Sequence, residues 1–215
     1  MKNIMCCLAV LFIATAAMAQ DTSDAKSTKL LDEVEKKFAN YKNVVFTYKG
    51  NIKNKRSNTD MDIQGDAKLS GELYNVNYMG VTYISDGTKQ YVINREDEQV
   101  TVSTVEGNSS IITPSNIFSF YNDGYVKQWG EMKDAGGRKI QYIKLTPIKS
   151  DVDHKQVMLG IDVNTKHIYN VIITENSDTM ITFVLKSLKT DQPLAKNTFG
   201  FDAKDYPDFN VEVLD

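Results

Sequence analysis

The sequence predicts a mainly β fold of the α+β class, with about eleven antiparallel strands in one large curved sheet and two short helices against it. Three observations lead to this prediction. The stretch 81–105 contains three short runs rich in β-branched and aromatic residues, which is the composition of strands. Apolar and polar residues alternate on both sides of this stretch, and only two segments have helical spacing instead. We therefore expect the sheet to extend outward from 81–105 as its centre.

Residues 1–19 have the pattern of a secretory signal peptide. Lys2 supplies a positive charge, an apolar stretch follows, and Ala17-Met18-Ala19 forms a small-residue cleavage site before Gln20. The apolar stretch is shorter than the ~20 residues that a membrane-spanning helix needs. We expect export, cleavage after Ala19 and a single domain over residues 20–215.

Composition excludes several classes of function. The two cysteines, Cys6 and Cys7, lie in the predicted signal peptide, so the mature chain has no thiol for a disulfide, a thiolate metal site or a nucleophile. The formal net charge is −3 at pH 7, and lysines are spread along the chain instead of clustered. Because no segment is polybasic, we expect no nucleic acid and no anionic membrane surface as partner.

Two segments have the spacing of amphipathic helices. The first follows a cap at Ser27 or Thr28, and its apolar stripe consists of Leu30, Leu31, Val34, Phe38 and Tyr41. The second has Thr113 as N-cap and Pro114 at the first helical position, and its apolar side consists of Ile117, Phe118, Phe120 and Tyr121. We expect the first helix to cover a partly empty space more than to fill the core.

Strands account for most of the remaining chain. The first begins at Val44 directly after the helix, and the turn pairs Ser70-Gly71 and Asp86-Gly87 separate later ones. After the second helix, period-two patterns predict strands at 125–133, 138–146, 156–163, 167–174 and 179–189, and short extended pieces at 199–201 and 211–213.

The number of strands bears on function. Neighbouring strands lie ~4.8 Å apart, so about eleven would form a flat sheet about 50 Å wide, whereas a helix is only ~10–12 Å across. Two short helices cannot cover such a face, so we expect the sheet to curl on itself. The concave side then holds either an apolar ligand cavity or a fully packed core, and periodicity alone does not distinguish these two.

Sequence motifs of catalysis are absent. His154 and His167 are the only histidines, and they lie on different predicted elements without the spacing of zinc ligands. The chain has no Gly-x-Ser-x-Gly elbow and no phosphate-binding glycine loop. We expect no enzyme, no metal and no cofactor, while a pair of carboxylates from distant strands, as in a glycosidase, stays open as an alternative.

Several short motifs follow one another in an order that is familiar from one protein family. After an amphipathic helix come Val44-Val45-Phe46-Thr47, Gly65-Asp66, Ile84-Ser85-Asp86-Gly87-Thr88, Glu98-Gln99-Val100, Thr113-Pro114, Lys144-Leu145-Thr146-Pro147, Phe199-Gly200-Phe201 and Tyr206-Pro207. In this order they resemble the LolA family of periplasmic lipoprotein carriers, over nearly all of the mature chain. The resemblance implies an unclosed antiparallel β-barrel of about eleven strands under a lid of two or three short helices.

The resemblance also implies a function. It indicates a periplasmic carrier that shelters the acyl chains of lipoproteins in a hydrophobic cavity and delivers them toward the outer membrane. The partners would be acylated lipoproteins, an inner-membrane lipoprotein-releasing transporter and an outer-membrane acceptor, and we expect a monomer. An amphiphile-binding or envelope-sensing protein of the same fold is the alternative, and an exported hydrolase comes third.

One position departs from the family. Better-known members of the LolA family have arginine and proline at the end of the second strand, where the arginine helps to latch the lid. This chain has Leu69-Ser70-Gly71 there, and Lys68 falls on the polar face of the predicted strand. The resemblance therefore supports the fold and the ligand class better than it supports the full transport cycle.

We expect the cavity to be lined by apolar residues that helical or strand periodicity places on one face. The lid would contribute Leu31, Val34, Phe38, Ile117 and Phe120, and the sheet would contribute Ile63, Leu69, Tyr83, Tyr91 and Ile93.

Overall fold

A computed structural model of the protein describes residues 24–105 and 117–214. Within these residues there is one α-helix, α1 (residues 24–39), and a short 3-10 helix at Ala203–Asp205. The strands are β1 (Val44–Asn54), β2 (Thr59–Ser70), β3 (Leu73–Tyr78), β4 (Val81–Ser85), β5 (Lys89–Asn94), β6 (Gln99–Thr104), β7 (Tyr125–Asp134), β8 (Lys139–Pro147), β9 (His154–Asp162), β10 (Ile168–Glu175), β11 (Met180–Thr190) and β12 (Asn210–Val213). The predicted signal peptide and its cleavage site lie outside the described residues.

All of these strands belong to one unclosed sheet. The strand order is β12-β6-β5-β4-β3-β2-β1-β11-β10-β9-β8-β7, and β12 and β7 end it without pairing with each other. Neighbours are antiparallel except β12, which runs parallel to β6. This confirms the predicted fold class, with twelve strands in place of about eleven. The piece 199–201 is not a strand, whereas 211–213 belongs to β12.

The centre of the sheet differs from the prediction. The stretch 81–105 contains β4, β5 and β6, which lie near one edge, and β2 and β1 occupy the middle. The reason is that β1 pairs with both β2 and β11 along almost its whole length, and so joins the two halves of the chain. Because β1, β2 and β11 are the longest strands, most of the concave face is built on them.

Helix α1 is packed more tightly than expected. Its residues Leu31 and Val34 are 1% and 0% exposed, and its apolar stripe belongs to one buried cluster with residues of β8, β9 and β10. The helix therefore fills the core on that side of the sheet, and the prediction that it mainly covers empty space is wrong. Ser27 and Thr28 lie inside the helix, not at its start, because residues 24–26 are already helical.

The second predicted helix is replaced by turns where the structure describes it. Residues 117–121 form turns and 122–124 form bends, while the predicted start at Thr113 and Pro114 lies outside the described residues. Tertiary contacts decide the conformation here, since Phe118 stacks on Phe38 and packs edge-on against Phe46. The local apolar pattern at 117–121 reflects burial in these contacts, not a helical face.

Candidate functional site

An apolar cavity of about 350 Å³ lies against the concave face of the sheet. Its walls come from six adjacent strands, β4, β3, β2, β1, β11 and β10, and from the turn at 117–118. The lining residues are Phe46, Tyr48, Ala67, Val76, Tyr78, Tyr83, Ile117, Phe118, Ile168, Val171, Ile173, Ile181, Phe183 and Leu185. Every one is apolar or aromatic, and the volume lies within the ~300–1,000 Å³ of typical ligand pockets.

Strand register brings these residues to one face. Phe46 lies opposite Ala67 on β2, and Ala67 in turn lies opposite Val76 on β3. On the other side of β1, Tyr48 lies opposite Leu185 of β11. Because side chains alternate between the two faces of a sheet, cross-strand neighbours of this kind form a continuous apolar surface.

Tyr48 is held flat over a glycine. Its hydroxyl donates a hydrogen bond to the Asn77 carbonyl at 2.8 Å, and its ring passes over Gly65, where a Cβ atom would overlap both groups. Burial, with smaller contributions from Tyr78 and Asp66, raises the pKa of Tyr48 above its ordinary value. The hydroxyl is therefore neutral and hydrogen-bonded at physiological pH, so that the ring serves as an apolar wall.

Aromatic rings close the end of the cavity next to α1. Phe38 near the C-terminus of the helix stacks on Phe118, with ring centroids 3.6 Å apart and an interplanar angle of 11°. The Phe118 ring also lies 6.2 Å from that of Phe46 at an angle of 76°. Because Phe46 and Phe118 line the cavity and Phe38 is buried, the stack of Phe38 on Phe118 connects the helix to the cavity wall.

Polar links fix α1 to its surroundings. Lys166 Nζ lies 2.8 Å from Glu33 Oε2, and the amide of Asn122 donates to Glu35 Oε1 at 2.7 Å. The hydrogen bond from Lys166 is the main cause that lowers the pKa of Glu33.

The C-terminal end of the helix carries a further link. The Tyr41 hydroxyl lies 3.0 Å from His167 Nε2, and burial followed by the nearby charge of Lys37 lowers the pKa of His167. At the end of β2 the Ser70 hydroxyl donates to the Lys42 carbonyl at 2.9 Å. The links of α1 therefore run to the 117–122 turn and to the β9–β10 turn.

At the opposite end the apolar surface continues toward solvent. Ile52 of β1 lies between Met61 and Ile181 in the register of the sheet, and Ile181 lines the cavity. Met61 is 39% exposed. An apolar path therefore runs from the cavity to the exposed β1–β2 end of the sheet.

The structure places the predicted site residues in four groups. Tyr83 and Ile117 line the cavity. Ile63 is buried on β2 with its side chain over Gly50. The other residues of α1, of the 117–121 turn and of β2 are buried in or packed against the main core cluster, namely Leu31, Val34, Phe38, Phe120 and Leu69.

Tyr91 and Ile93 form the fourth group and lie on the other face of the sheet. Tyr83 of β4 lies opposite Val92 of β5, so these two side chains share a face. Tyr91 and Ile93 lie on either side of Val92 along β5, and their side chains therefore point away from the cavity. Ile93 is 0% exposed in a second cluster, and the Tyr91 ring stacks on Phe201 at 5.0 Å. The expectation that these residues share a face with Tyr83 is wrong, because the C-terminal segment covers an apolar outer face on β4–β6.

Sequence reasoning missed most of the cavity wall. The residues it omitted are Phe46, Tyr48, Ala67, Val76, Tyr78, Phe118, Ile168, Val171, Ile173, Ile181, Phe183 and Leu185. The alternation Ile181-Phe183-Leu185 was a usable signal, but its value depends on the pairing of β11 with β1, which local pattern does not reveal.

Side chains that could ligate a metal do not cluster in the described residues. No group of three or more histidine, cysteine, aspartate or glutamate side chains among residues 24–105 and 117–214 could hold a metal ion. His154 Nε2 lies 2.8 Å from the Tyr125 hydroxyl, and burial lowers its pKa. The apolar wall of the cavity can exclude water from an apolar ligand.

Comparison with known proteins gives a family match. The family model described as outer membrane lipoprotein carrier protein LolA matches residues 79–202, which is more than half of the 215 residues. No curated protein matches the chain. In the described part of the chain, no helix has the length and apolar character to cross a membrane.

Several solved structures are similar to this chain at low sequence identity. An uncharacterized conserved protein from Thermus thermophilus has a TM-score of 0.59 at 9% identity, covering 88% of this chain and 98% of its own. A DUF1329 family protein from Desulfovibrio piger has a TM-score of 0.50 at 8% identity, covering 86% and 99%. A putative outer membrane lipoprotein-sorting protein domain from Vibrio parahaemolyticus has a TM-score of 0.45 at 10% identity, covering 82% and 97%.

Proposed function

Because the chain belongs to the LolA family of outer membrane lipoprotein carrier proteins, we propose that it shelters the acyl chains of lipoproteins in the concave cavity and delivers them toward the outer membrane. The observation that carries the proposal is the cavity itself, whose walls are entirely apolar or aromatic. The ten residues proposed from sequence enter this function differently, since Tyr83 and Ile117 would touch the chain and the others would support the wall or lie elsewhere.

The energetics of transfer explain why a carrier is needed. Burying one methylene is worth ~0.8 kcal/mol. Moving a sixteen-carbon chain from an apolar environment into water therefore costs on the order of 12 kcal/mol. A cavity whose walls are apolar and aromatic side chains recovers much of this. No covalent step is required for binding or for release.

Release requires that the cavity open at modest cost. The polar link between α1 and the 117–122 turn is the 2.7 Å hydrogen bond from the Asn122 amide to Glu35, and a hydrogen bond to a charged group contributes ~1.5–3 kcal/mol. The aromatic stack of Phe38 on Phe118 adds ~0.5–1.5 kcal/mol. A partner that competes for these contacts could therefore displace the 117–122 turn from the helix and open the closed end.

The cellular route follows from the same proposal. Export by the predicted signal peptide of residues 1–19 would place the mature chain in the periplasm. An inner-membrane lipoprotein-releasing transporter would then supply the cargo to the monomeric carrier, and an outer-membrane acceptor would receive it.

Two neighbouring isoleucines on β10 provide a matched test of binding. Ile173 lines the cavity, whereas Ile172 alternates to the other face, and both are half-buried. A charge in an apolar site carries a large desolvation penalty. Ile173→Glu should therefore abolish binding of a fluorescent triacylated peptide to the mature protein, and Ile172→Glu should preserve it, as measured by a fluorescence titration with circular dichroism to verify folding.

The result also separates the alternatives. Wild-type protein that fails to bind triacylated peptide or fatty acid, where an established lipid carrier binds both, would refute the carrier proposal. Equal loss of binding in folded Ile172→Glu and Ile173→Glu would refute the assignment to this cavity. Binding of fatty acid but not of triacylated peptide would favour a carrier of other amphiphiles.

A further inference from the structure

A second, polar pocket of about 230 Å³ lies directly beside the apolar cavity. Ile168 and Leu185 belong to the walls of both. The polar part of its wall consists of Arg138, Asp162, Thr165, His167, Lys186 and Ser187. Such an arrangement of an apolar space next to a polar one matches the shape of an amphiphile, which has an acyl chain and a polar head.

The pocket exists because two neighbouring strands part. The ladder between β10 and β11 ends at the pair Asn170 and Val184. Beyond this point β11 continues to Thr190 and pairs only with β1, while Ile168 of β10 pairs only with β9. A bulge in β11 accompanies the separation. On β1, Thr47 pairs with Ser187 and the next residue, Tyr48, pairs with Leu185, so Lys186 has no partner on β1. The pocket fills this gap in the wall of the sheet.

The charges around the gap favour an anion. Asp162 is the only acidic side chain among the described residues that line it, and its carboxylate already accepts hydrogen bonds from Arg138 Nε at 2.8 Å and from the backbone N–H groups of Asn164 and Thr165, each at 3.0 Å. Lys186 is exposed and has no ion-pair partner among the described residues. One positive charge therefore remains uncompensated in the pocket.

We propose that this pocket binds the negatively charged phosphate head of a lipid whose acyl chain lies in the adjoining cavity. Lys186 would pair with the phosphate, while Arg138 would stay with Asp162. The inference rests on the proposed acyl-chain site and extends its ligands from lipoproteins to anionic phospholipids. It also explains why the sheet opens here, since a closed β10–β11 ladder would leave the head no room beside the chain.

Two lysines on the same strand provide the test. Lys186 lines the pocket, whereas Lys189 is exposed on β11 outside it. Lysophosphatidylglycerol and lysophosphatidylcholine of equal chain length would compete with a fluorescent fatty acid for the mature protein, below their micelle concentrations. The anionic lipid should bind about tenfold more tightly, as expected for a charge-assisted contact. Lys186→Glu should bring the ratio close to one, and Lys189→Glu should leave it unchanged.

Free phosphate distinguishes the source of the anion. If the head is recognised by its phosphate, inorganic phosphate at millimolar concentration should reduce the preference for the anionic lipid and leave binding of zwitterionic lysophosphatidylcholine, whose phosphate is balanced by its own ammonium group, unaffected. Equal affinity of the two lysolipids for wild-type protein would refute the inference while leaving the acyl-chain site intact. A preference that persists in Lys186→Glu would also refute it. Failure of both lysolipids and of the fatty acid to bind would instead contradict the proposed function.

Discussion

Replacing Phe38 and Phe183 by alanine removes the same side chain from two different surroundings. Phe38 is 7% exposed, and its ring lies 3.6 Å from that of Phe118 and 5.6 Å from that of His167. Deleting a phenylalanine from a packed core costs ~3–5 kcal/mol, because a hole is left behind. We expect Phe38→Ala to fall in this range.

The Phe183→Ala substitution should reduce the free energy of unfolding by less than Phe38→Ala does, because one side of Phe183 already faces the cavity. Its ring contacts Tyr48 at 5.6 Å and Tyr78 at 6.3 Å, and it is half-buried with one side on the cavity. Full burial of such a side chain is worth ~1.5–3 kcal/mol, and a partly buried one with no new isolated hole should contribute about 1–2 kcal/mol. The two variants should therefore differ by about 2 kcal/mol in the free energy of unfolding.

Equilibrium urea denaturation of the ligand-free mature protein measures this difference. Fluorescence of Trp129, the single tryptophan, and circular dichroism should report the same transition if unfolding is two-state. Equal urea slopes for wild type and variants are the control for an unchanged unfolded state. A loss at Phe183→Ala that equals or exceeds the loss at Phe38→Ala would refute the claim that the core lies under α1 and the empty space under β11.

Three further predictions concern other parts of the molecule. Burial, with the charge of Lys37, lowers the pKa of His167 below its unfolded value of about 6.5, so stability should fall as the pH drops from about 7 through 6.5 toward the folded pKa. His167→Gln should reduce this fall in the melting temperature, and an identical pH profile would contradict the assignment. Gly65→Ala should destabilise the protein by ~1–3 kcal/mol and weaken acyl-chain binding, because the added methyl group would overlap both the Asn77 backbone carbonyl and the Tyr48 side chain; unchanged urea denaturation and titration would argue against this. Intact-mass measurement of periplasmic protein should show a mature chain beginning at Gln20, and retention of Met1 would refute cleavage after Ala19.

Local chemistry was sufficient to predict the strands and their turns. At Asp86-Gly87, the carboxylate accepts hydrogen bonds from the N–H groups of Thr88 and Lys89 at 2.9 and 2.7 Å, and Gly87 has a φ of +88°. Both features follow from the residue types, since aspartate bonds to nearby backbone and glycine tolerates positive φ. Apolar and polar residues alternate with a period of two over 44–54 and 180–190, and this pattern predicts strands without any tertiary information.

The composition of the cavity wall could not be predicted from the sequence, because it depends on pairing between strands that are far apart in the chain. Tyr48 and Leu185 become neighbours only because β1 pairs with β11, and two strands of similar composition give no local sign of this partnership. The strand β5 has Tyr91 and Ile93 on one face and Val92 on the other, so both faces are apolar. Which face is concave depends on the C-terminal segment, whose Phe201 packs on Tyr91 from outside.

The position of a bound acyl chain tests the central claim most directly. A fatty acid with a photoreactive diazirine near its methyl end would be bound to the mature protein, irradiated and mapped by peptide mass spectrometry. The structure predicts labels on cavity residues of β10 and β11, such as Ile173 and Phe183, and on Ile117. Labels concentrated on Tyr91 or Phe201, or spread over the surface without preference, would contradict the assignment of the cavity as the acyl-chain site.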